Sequence, residues 1–239
     1  MSATGKITAI GNAPLGERIY RELRRAIMRG RFAPGDALTL RDLAKASGTS
    51  AMPVRDALMR LVAERAVVMP NARSFAMPLM SHDEFKQLCQ FRILVECYTA
   101  GRAAERLLPK EFEIIEELDR RITRSFRAGS HEKTLEYNLE FSFAVYRAAG
   151  LPVVIPHIES LWLQSGPYLI LRIRKMASDK KYMNAPSIGH HQELLEALKN
   201  RDAKRARDAI KKDITETMLL YLSEEHFQYG MSPRVHRPA

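Results

Sequence analysis

The chain has 239 residues, of which 46% are hydrophobic and 28% are charged, and its formal net charge is +10. This is the balance of an ordinary soluble globular protein, and the length allows two domains. The sequence has no run of about 18 apolar residues, and its N-terminus lacks the apolar stretch of a signal peptide. We therefore expect a cytoplasmic protein with no membrane partner.

The basic excess is concentrated near the N-terminus. Residues 1–78 contain 13 Lys and Arg against 6 Asp and Glu, a net charge of +7, whereas residues 79–239 carry a net charge of only +3. A first helix is predicted over residues 15–29, ending at Gly30, and Pro34 with Gly35 marks a turn after it. Because the charge coincides with the motif that follows, phosphate binding is a better interpretation than a solvated basic surface.

Residues 39–62 show the pattern of a helix-turn-helix DNA reader. Thr39 is predicted to cap the first helix with Asp42 at the spacing of a capping box, and Gly48 ends that helix. Ser50 is predicted to cap the second helix. The buried face of the second helix is predicted from the helical spacing of its apolar residues, which are Val54, Ala57, Leu58, Leu61 and Val62.

Two short β-prone runs then flank Pro70, Asn71 and Ala72, which predicts a small hairpin and thus a winged helix-turn-helix. From Ser81 onward the periodicity predicts six or seven helices in a bundle. The predicted breaks lie near Pro109, Gly129, Gly150, Pro167, residues 179–186 and Asn200. The fold class is therefore mostly α, with a DNA-binding domain at 1–78, a helical domain at 79–228 and a tail at 229–239.

The run IYRELRRAIMRGRFAPGDALTLRDLAKASGTSAMPVRDALMRL resembles the GntR family of bacterial transcription regulators. The remainder resembles the FadR-type (FCD) ligand-sensing domain. Four segments carry this resemblance, namely FRILVE, NLEFSFAVYRAAG, LWLQSGPYL and HQELLEALKNRDAKRARDAIKKDI. The resemblance implies a homodimeric regulator, a repressor, that binds a double-stranded DNA operator under the control of a small organic acid. A homodimer with two-fold symmetry also agrees with the binding of two operator half-sites, one by each recognition helix.

In the family, residues matching Arg41, Ser50 and Arg55 contact the operator. Arginine suits this role because its planar fork of donors fits a phosphate or the edge of guanine, although a surface salt bridge is the alternative for each arginine. Ala51 and Met52 stand where the family often has polar residues, and their apolar contacts favour thymine. The candidate DNA-binding residues are Arg41, Thr49, Ser50, Ala51, Met52, Arg55 and, on the wing where the family often has Gly, Arg73.

Similar FCD domains commonly bind a divalent metal through an Asp or Asn and a His one turn apart, with two later ligands. The matching residues here are Asn138, Ser142, His191 and Asp213, and Ser142 is a poor substitute for imidazole. Three interpretations stay open. Asn138, His191 and Asp213 hold Zn²⁺, Ni²⁺ or Mn²⁺ in a weakened site, or a metal-free polar pocket binds an organic acid, or the cluster is structural. His190 is expected to point away to the surface.

Arg92 matches the arginine that often lines the FCD pocket, and Glu96 one turn later is placed to hold it. The candidate effector-pocket residues are Arg92, Asn138, Ser142, Arg147, Trp162, Tyr168, His191 and Asp213. A metal-dependent enzyme on the helical domain is one rival interpretation, but no nucleophile–base pair, phosphate loop or HExxH-like motif supports it, and we expect no enzyme. A DNA-binding protein without effector control is the other rival.

Overall fold

A computed structural model describes residues 15–177 and 189–223 of the chain. The predicted tail at 229–239, the predicted break at 179–186 and the last residues of the predicted helical domain lie outside this range. Within it the chain forms a mostly helical fold with one small sheet. The helices are α1 (Leu15–Met28), α2 (Leu40–Ser47), α3 (Ala51–Ala63), α4 (His82–Arg106), α5 (Pro109–Arg127), α6 (His131–Ala148), α7 (Ile155–Ala177), α8 (His191–Lys199) and α9 (Ala203–Ser223), and the strands are β1 (Ala37–Leu38), β2 (Val68–Asn71) and β3 (Ser74–Ala76).

Helices α2 and α3 form the predicted helix-turn-helix. The Thr39 hydroxyl accepts a hydrogen bond from the backbone N–H of Asp42, and Gly48 ends α2 in the left-handed conformation at φ 63°. The Asp42 carboxylate also accepts a hydrogen bond from the Thr39 hydroxyl at 2.6 Å, so the side chains of the two capping residues contact each other. The prediction for Ser50 was wrong in part, because Ser50 lies at the N-cap of α3 but its hydroxyl makes no cap hydrogen bond.

The wing is a sheet of three strands in the order β1-β3-β2, all antiparallel. The hairpin of β2 and β3 was predicted, but β1 was not, because two residues beside the Pro34–Gly35 turn are too few to show an alternating pattern. Pro70 lies within β2 and not in the turn. This position is allowed because β2 is an edge strand, where a residue without an N–H costs no ladder hydrogen bond.

Six helices, α4 to α9, form a bundle in the second part of the described chain. Helix α4 begins with a capping box of Ser81 and Glu84, and it packs along α9, while α5 packs along α6. The predicted break at Pro167 was wrong, because α7 continues through that residue. Buried neighbours such as Leu163 and Tyr168 hold this helix in place, and such packing compensates for the missing backbone donor of proline.

Helix α1 of the N-terminal part packs directly on α7 of the bundle. A Cβ atom added to Gly166 would lie 2.9 Å from Cα of Met28 and closer still to the carbonyl oxygen of Ile27, so the two backbones touch. Beside this contact, Nη1 of Arg24 donates to the carboxylate of Glu159 at 3.0 Å. None of the helices that the structure describes combines the length and apolar character needed to span a bilayer.

Candidate functional site

The first candidate site is the exposed N-terminal end of α3. Ala51 is exposed, and Met52 is 67% exposed, although it is a large apolar side chain. Arg55, one turn later, is half-buried, and its guanidinium lies 5.9 Å from the ring centre of Phe75 on the wing. This contact with Phe75 places Arg55 between the helix and the wing. The polar and apolar groups of this helix end are therefore open to a partner.

Several arginines of the N-terminal part are ion-paired, but the predicted DNA-binding arginines have no such partner among the described residues. Arg60, also on α3, lies 2.5 Å from the carboxylate of Glu17. In contrast, Arg41, Arg55 and Arg73 make no ion pair with any residue in 15–177 or 189–223. The alternative of a surface salt bridge is therefore wrong for Arg41 and Arg55 within the described chain.

The other predicted DNA-binding residues lie in the turn before α3, at its N-cap and in the turn of the wing. The Thr49 hydroxyl donates to the carbonyl of Ser50 at 3.2 Å, so Thr49 is partly committed to the turn. Ser50 is exposed, and its hydroxyl is not used as a cap. Arg73 lies in the turn of the wing, where its backbone N–H donates to Oδ1 of Asn71 at 3.0 Å and its side chain is exposed.

The second candidate site is a narrow cavity of about 20 Å³ inside the helical bundle, which is room for about one water molecule, so a small organic acid fits only if lining side chains move apart. Side chains from α4, α6, α7, α8 and α9 form its walls, together with His190 at the N-cap of α8. Six of the eight predicted pocket residues line it, namely Arg92, Asn138, Ser142, Trp162, His191 and Asp213. Apolar side chains such as Phe141, Leu169 and Ile214 complete the lining.

Glu96 organises one end of the cavity. Its carboxylate is fully buried and accepts four hydrogen bonds, two of them from Arg92, at 2.6 Å from Nε and 3.1 Å from Nη2. The Tyr146 hydroxyl donates at 2.6 Å, and the indole N–H of Trp162 donates at 3.0 Å. Burial alone lowers the pKa of Arg92, but Glu96 outweighs burial and raises it. This network keeps Arg92 charged and fixes its orientation.

Arg172 and Asp213 form a second ion pair in the cavity region. Nη2 of Arg172 lies 2.7 Å from Oδ1 of Asp213 and 3.4 Å from Glu216. Burial by itself raises the pKa of Asp213, but the charge of Arg172, with contributions from His191 and the Arg172 hydrogen bond, lowers it to about 2. Asp213 is therefore ionised at neutral pH and forms an ion pair with the guanidinium of Arg172.

The two histidines before and at the start of α8 have different surroundings. His191 is buried, its Nδ1 lies 3.1 Å from Oδ1 of Asp119, and its ring stacks on Phe141 with ring centres 4.2 Å apart. The prediction that His190 is a surface residue was wrong. His190 lines the cavity because it lies at the N-cap of α8, where the chain departs from the helical path on which the predicted angle depended.

Two predicted pocket residues lie elsewhere. Arg147 is exposed near the end of α6, with its guanidinium 5.5 Å from the ring centre of Phe143. Tyr168 is buried, but its hydroxyl accepts from the backbone N–H of Met80 at 2.8 Å, so it holds the segment that leads into α4. Tyr146 lines the cavity and was not predicted. Its position four residues after Ser142 on one helix face was the signal that could have identified it.

The side chains present do not fit a divalent metal. Asp213, the one carboxylate among the predicted ligands, is paired with Arg172, and Ser142 offers only a hydroxyl. Across residues 15–177 and 189–223, no group of three or more His, Cys, Asp or Glu side chains is arranged to hold a metal ion. The geometry instead favours a polar cavity lined by the guanidinium of Arg92, with the guanidinium of Arg172 held on the lining residue Asp213.

Two family profiles match the chain and together cover most of it. The profile described as "Bacterial regulatory proteins, gntR family" matches residues 15–76, and the profile of the FCD domain matches residues 87–216. The first match covers the helix-turn-helix and the wing. The second covers most of the helical bundle with its cavity.

Characterised relatives have the same type of function. The HTH-type transcriptional regulator McbR of Escherichia coli K12 is 28% identical over 169 residues, which are 71% of this chain and 75% of McbR. The HTH-type transcriptional repressor GlaR of the same organism is 24% identical over 200 residues, which are 82% of this chain and 90% of GlaR. These relatives are regulators and not enzymes.

Solved structures share the fold. The structure of E. coli McbR/YncC matches with a TM-score of 0.74 and 24% identity, over 88% of this chain and 99% of that one. A putative GntR transcriptional regulator from Rhodococcus sp. RHA1 matches with a TM-score of 0.70 and 18% identity, over 89% and 100% of the two chains. The chain belongs to the GntR family of bacterial regulatory proteins, as a transcriptional regulator with an FCD domain of the kind that binds small-molecule effectors.

Proposed function

We propose that this regulator is a cytoplasmic, homodimeric repressor whose operator binding is controlled by a small organic acid in the cavity of the helical domain. The proposed domains are 1–78 for DNA binding and 79–228 for effector binding and dimerisation. The observation that carries the proposal is the buried guanidinium of Arg92, which faces the cavity with hydrogen-bond donors to spare.

The spare donors of Arg92 favour a ligand with acidic oxygens. Nε and Nη2 of Arg92 bind Glu96, and Nη1 has no acceptor among the described residues. A carboxylate supplies oxygen acceptors in the geometry of a guanidinium, so it suits this donor. Asn138 and Ser142 on the same cavity wall offer further polar groups for the rest of the ligand.

We propose that α3 reads the major groove through Arg55 and that Arg41 at the start of α2 contacts the operator beside it. Both side chains are charged and without ion pairs in the described chain, which suits contacts to phosphate or guanine. Ala51 and Met52 offer methyl groups and therefore favour thymine. Arg73 at the tip of the wing is placed for a phosphate or the minor groove, and Thr49 and Ser50 for the backbone.

Helix α7 is the proposed connection between the two sites. Trp162, which lines the cavity, and Arg172, which binds the cavity residue Asp213, are on this helix, and Gly166 between them touches the backbone of α1. Helix α6 makes a parallel connection, because it lines the cavity and its Glu136 lies 2.8 Å from Arg29. A ligand that shifts either helix therefore changes the position of α1 and of the DNA-reading helix attached to it.

A homodimer is supported by an exposed apolar stripe on α4. Phe91, Leu94 and Tyr98 are spaced by three and four residues, so they lie on one helix face, and each is more than half exposed. Exposed apolar stripes of this kind mark interaction surfaces. Two copies joined here would present two α3 helices to two operator half-sites.

A thermal-shift screen of the full-length protein tests the effector proposal. We expect one or more small mono-, di- or tricarboxylic acids to raise the melting temperature by several degrees, whereas the neutral amides of the same acids do not. A ligand at about 100 times its dissociation constant stabilises the native state by about 2.7 kcal/mol. Any hit is then added to a DNA-binding titration, in which we expect the operator affinity to change.

The matched variant is Arg92→Met combined with Glu96→Gln, which removes both charges together and so leaves no unpaired buried ion. It should fold and lose the response to the hit, whereas Arg147→Met, at an exposed arginine outside the cavity, should keep it. The proposal fails if the double variant responds as the wild type does, or if only the neutral amides stabilise the protein.

A further inference from the structure

We propose that the guanidinium of Arg172, held on Asp213 at the edge of the cavity, takes the place of a divalent metal there, so that the cavity binds its ligand without a metal. The ligand would be a carboxylate held by arginine N–H groups, and this part rests on the proposed effector role. The cation part depends only on the arrangement of Arg172, Asp213, Gly189 and His191.

The first support is the ion pair of Asp213 with Arg172. Its Oδ1 lies 2.7 Å from Nη2 of Arg172, a charge-assisted hydrogen bond of ordinary length. Arg172 is buried, and its Nη2 also lies 3.4 Å from Glu216. A buried cation needs such partners, and a divalent cation bound to the other oxygen of Asp213 would lie beside this guanidinium and be repelled by its charge. A metal at Asp213 would therefore bind weakly as long as Arg172 is in place.

The second support is the space left by Gly189. This glycine precedes α8 and has φ +60°, and a Cβ atom there would lie 2.5 Å from Nη2 of Arg172 and 3.1 Å from Oδ1 of Asp213. The absence of a side chain at position 189 thus lets the guanidinium and the carboxylate meet. A larger residue at this position would push the flexible end of Arg172 away from Asp213.

The third support is that His191 is still held as a metal ligand would be. Asp119 binds Nδ1 of His191, and Nε2 has no hydrogen-bond partner among the residues that the structure describes. A carboxylate behind a histidine is the usual outer support of a metal-ligating imidazole. His191 is therefore placed as a metal ligand would be. Two other residues differ from those of a metal site, because Ser142 offers no imidazole and Arg172 supplies the positive charge.

A set of four proteins tests this inference with metal binding as the readout. The proteins are the wild type, Ser142→His, Arg172→Met and the double variant Ser142→His/Arg172→Met. Each full-length protein is dialysed against NiCl₂, ZnCl₂ or MnCl₂ and then against metal-free buffer. Bound metal is counted by elemental analysis, and the affinity is measured by calorimetry. Circular dichroism spectra and melting curves of all four establish that they are folded.

We expect the wild type and Ser142→His to retain less than about 0.1 metal ion per chain, because Arg172 still occupies Asp213 in both. The double variant should retain about one Ni²⁺ or Zn²⁺ per chain and bind it at least about tenfold more tightly than Ser142→His does, a difference of about 1.4 kcal/mol. Arg172→Met alone should bind metal more weakly than the double variant, since it lacks the added imidazole.

Stoichiometric metal in the wild type would overturn the inference, and this measurement does not depend on any variant folding. Equal metal affinity in Ser142→His and the double variant would also overturn it, because Arg172 would then not occupy the position of the cation. None of these readouts uses an effector or DNA. A failure here is therefore distinguishable from a failure of the proposed effector function, which the carboxylate screen tests.

Discussion

Arg65 is a non-glycine residue in the left-handed region, with φ 59°, directly after α3. Arg201 has nearly the same conformation, with φ 53°, but its guanidinium donates to the carbonyl oxygens of Glu105 at 3.0 Å and Leu107 at 3.3 Å. Arg65 has no such side-chain hydrogen bond within the described chain. The left-handed conformation costs an L-residue about 1–2 kcal/mol, and Arg201 offsets this cost with its two contacts.

Arg65→Gly should therefore raise the free energy of unfolding by about 0.5–1 kcal/mol, since the relief of strain exceeds the entropy cost of glycine. Arg201→Gly is the matched control and should lower it, because both carbonyl contacts are lost. Urea denaturation of full-length protein measures both changes. Equal effects of the two substitutions would show that backbone conformation alone decides these positions.

The residue scale also shows what spacing cannot predict. The sequence was sufficient to place Arg92 beside Glu96, because the two lie one turn apart on one helix. It did not predict that Arg172 pairs with Asp213, because 41 residues separate them and the contact depends on how α7 and α9 pack. The same reason explains why Tyr168 was assigned to the pocket, when its hydroxyl contacts the chain 88 residues earlier.

At the scale of elements, the contact between α1 and α7 depends on Gly166. A Cβ atom here would meet backbone atoms of Ile27 and Met28, and backbone cannot move aside as the end of a side chain can. Gly166→Ala should lower the stability of the protein by about 1–3 kcal/mol, the usual cost of overpacking. Differential scanning calorimetry of the full-length protein measures the loss as a lower melting temperature.

Gly16→Ala is the control for this prediction, because Gly16 is also helical and a Cβ atom there would meet only the carbonyl oxygen of Pro53 at 3.7 Å. We expect no loss of stability for Gly16→Ala, since 3.7 Å is an ordinary contact and alanine favours the helix. An unchanged melting temperature for Gly166→Ala would mean that the two backbones are not held in direct contact.

Most elements follow from local signals, and the exceptions have local causes. Thr39, Gly48 and Ser81 mark helix ends through caps and a left-handed residue, and the structure has helix boundaries at all three. Strand β1 was missed because it is defined only by its pairing with β3. Pro167 was read as a break because proline usually ends a helix, whereas here tertiary packing outweighs that preference.

At the scale of the whole molecule, Leu94 tests the proposed dimer. Leu94 is 70% exposed at the centre of the stripe on α4, so a charge there should disrupt an apolar interface without affecting the fold of one chain. We expect Leu94→Glu to have the mass of one chain, 27.2 kDa, in light scattering, and the wild type to have twice that mass. Ile114→Glu, at an exposed residue of α5, should remain a dimer, and a dimeric Leu94→Glu would refute this interface.

In the whole molecule, an N-terminal helix-turn-helix reader with a basic excess packs through α1 on the helical bundle that contains the cavity. The reader is the part that the sequence defines best, because caps, turn and buried face are all local. The bundle cavity needed the structure, since five helices contribute to it and its charges pair across the chain. The arginines without ion pairs on the reader are the side chains whose removal should weaken DNA binding most.

The most direct measurement is the affinity for a duplex selected by the wild-type protein from a random-sequence pool, followed by fluorescence anisotropy at several salt concentrations. Arg55→Ala should bind this duplex at least about tenfold more weakly, and if Arg55 contacts phosphate its salt slope should fall by about one. Arg60→Ala, at the ion-paired arginine of the same helix, should change the affinity less than about twofold. If Arg55→Ala instead binds with the affinity, sequence preference and salt dependence of the wild type, the assignment of α3 as the DNA-reading helix is wrong.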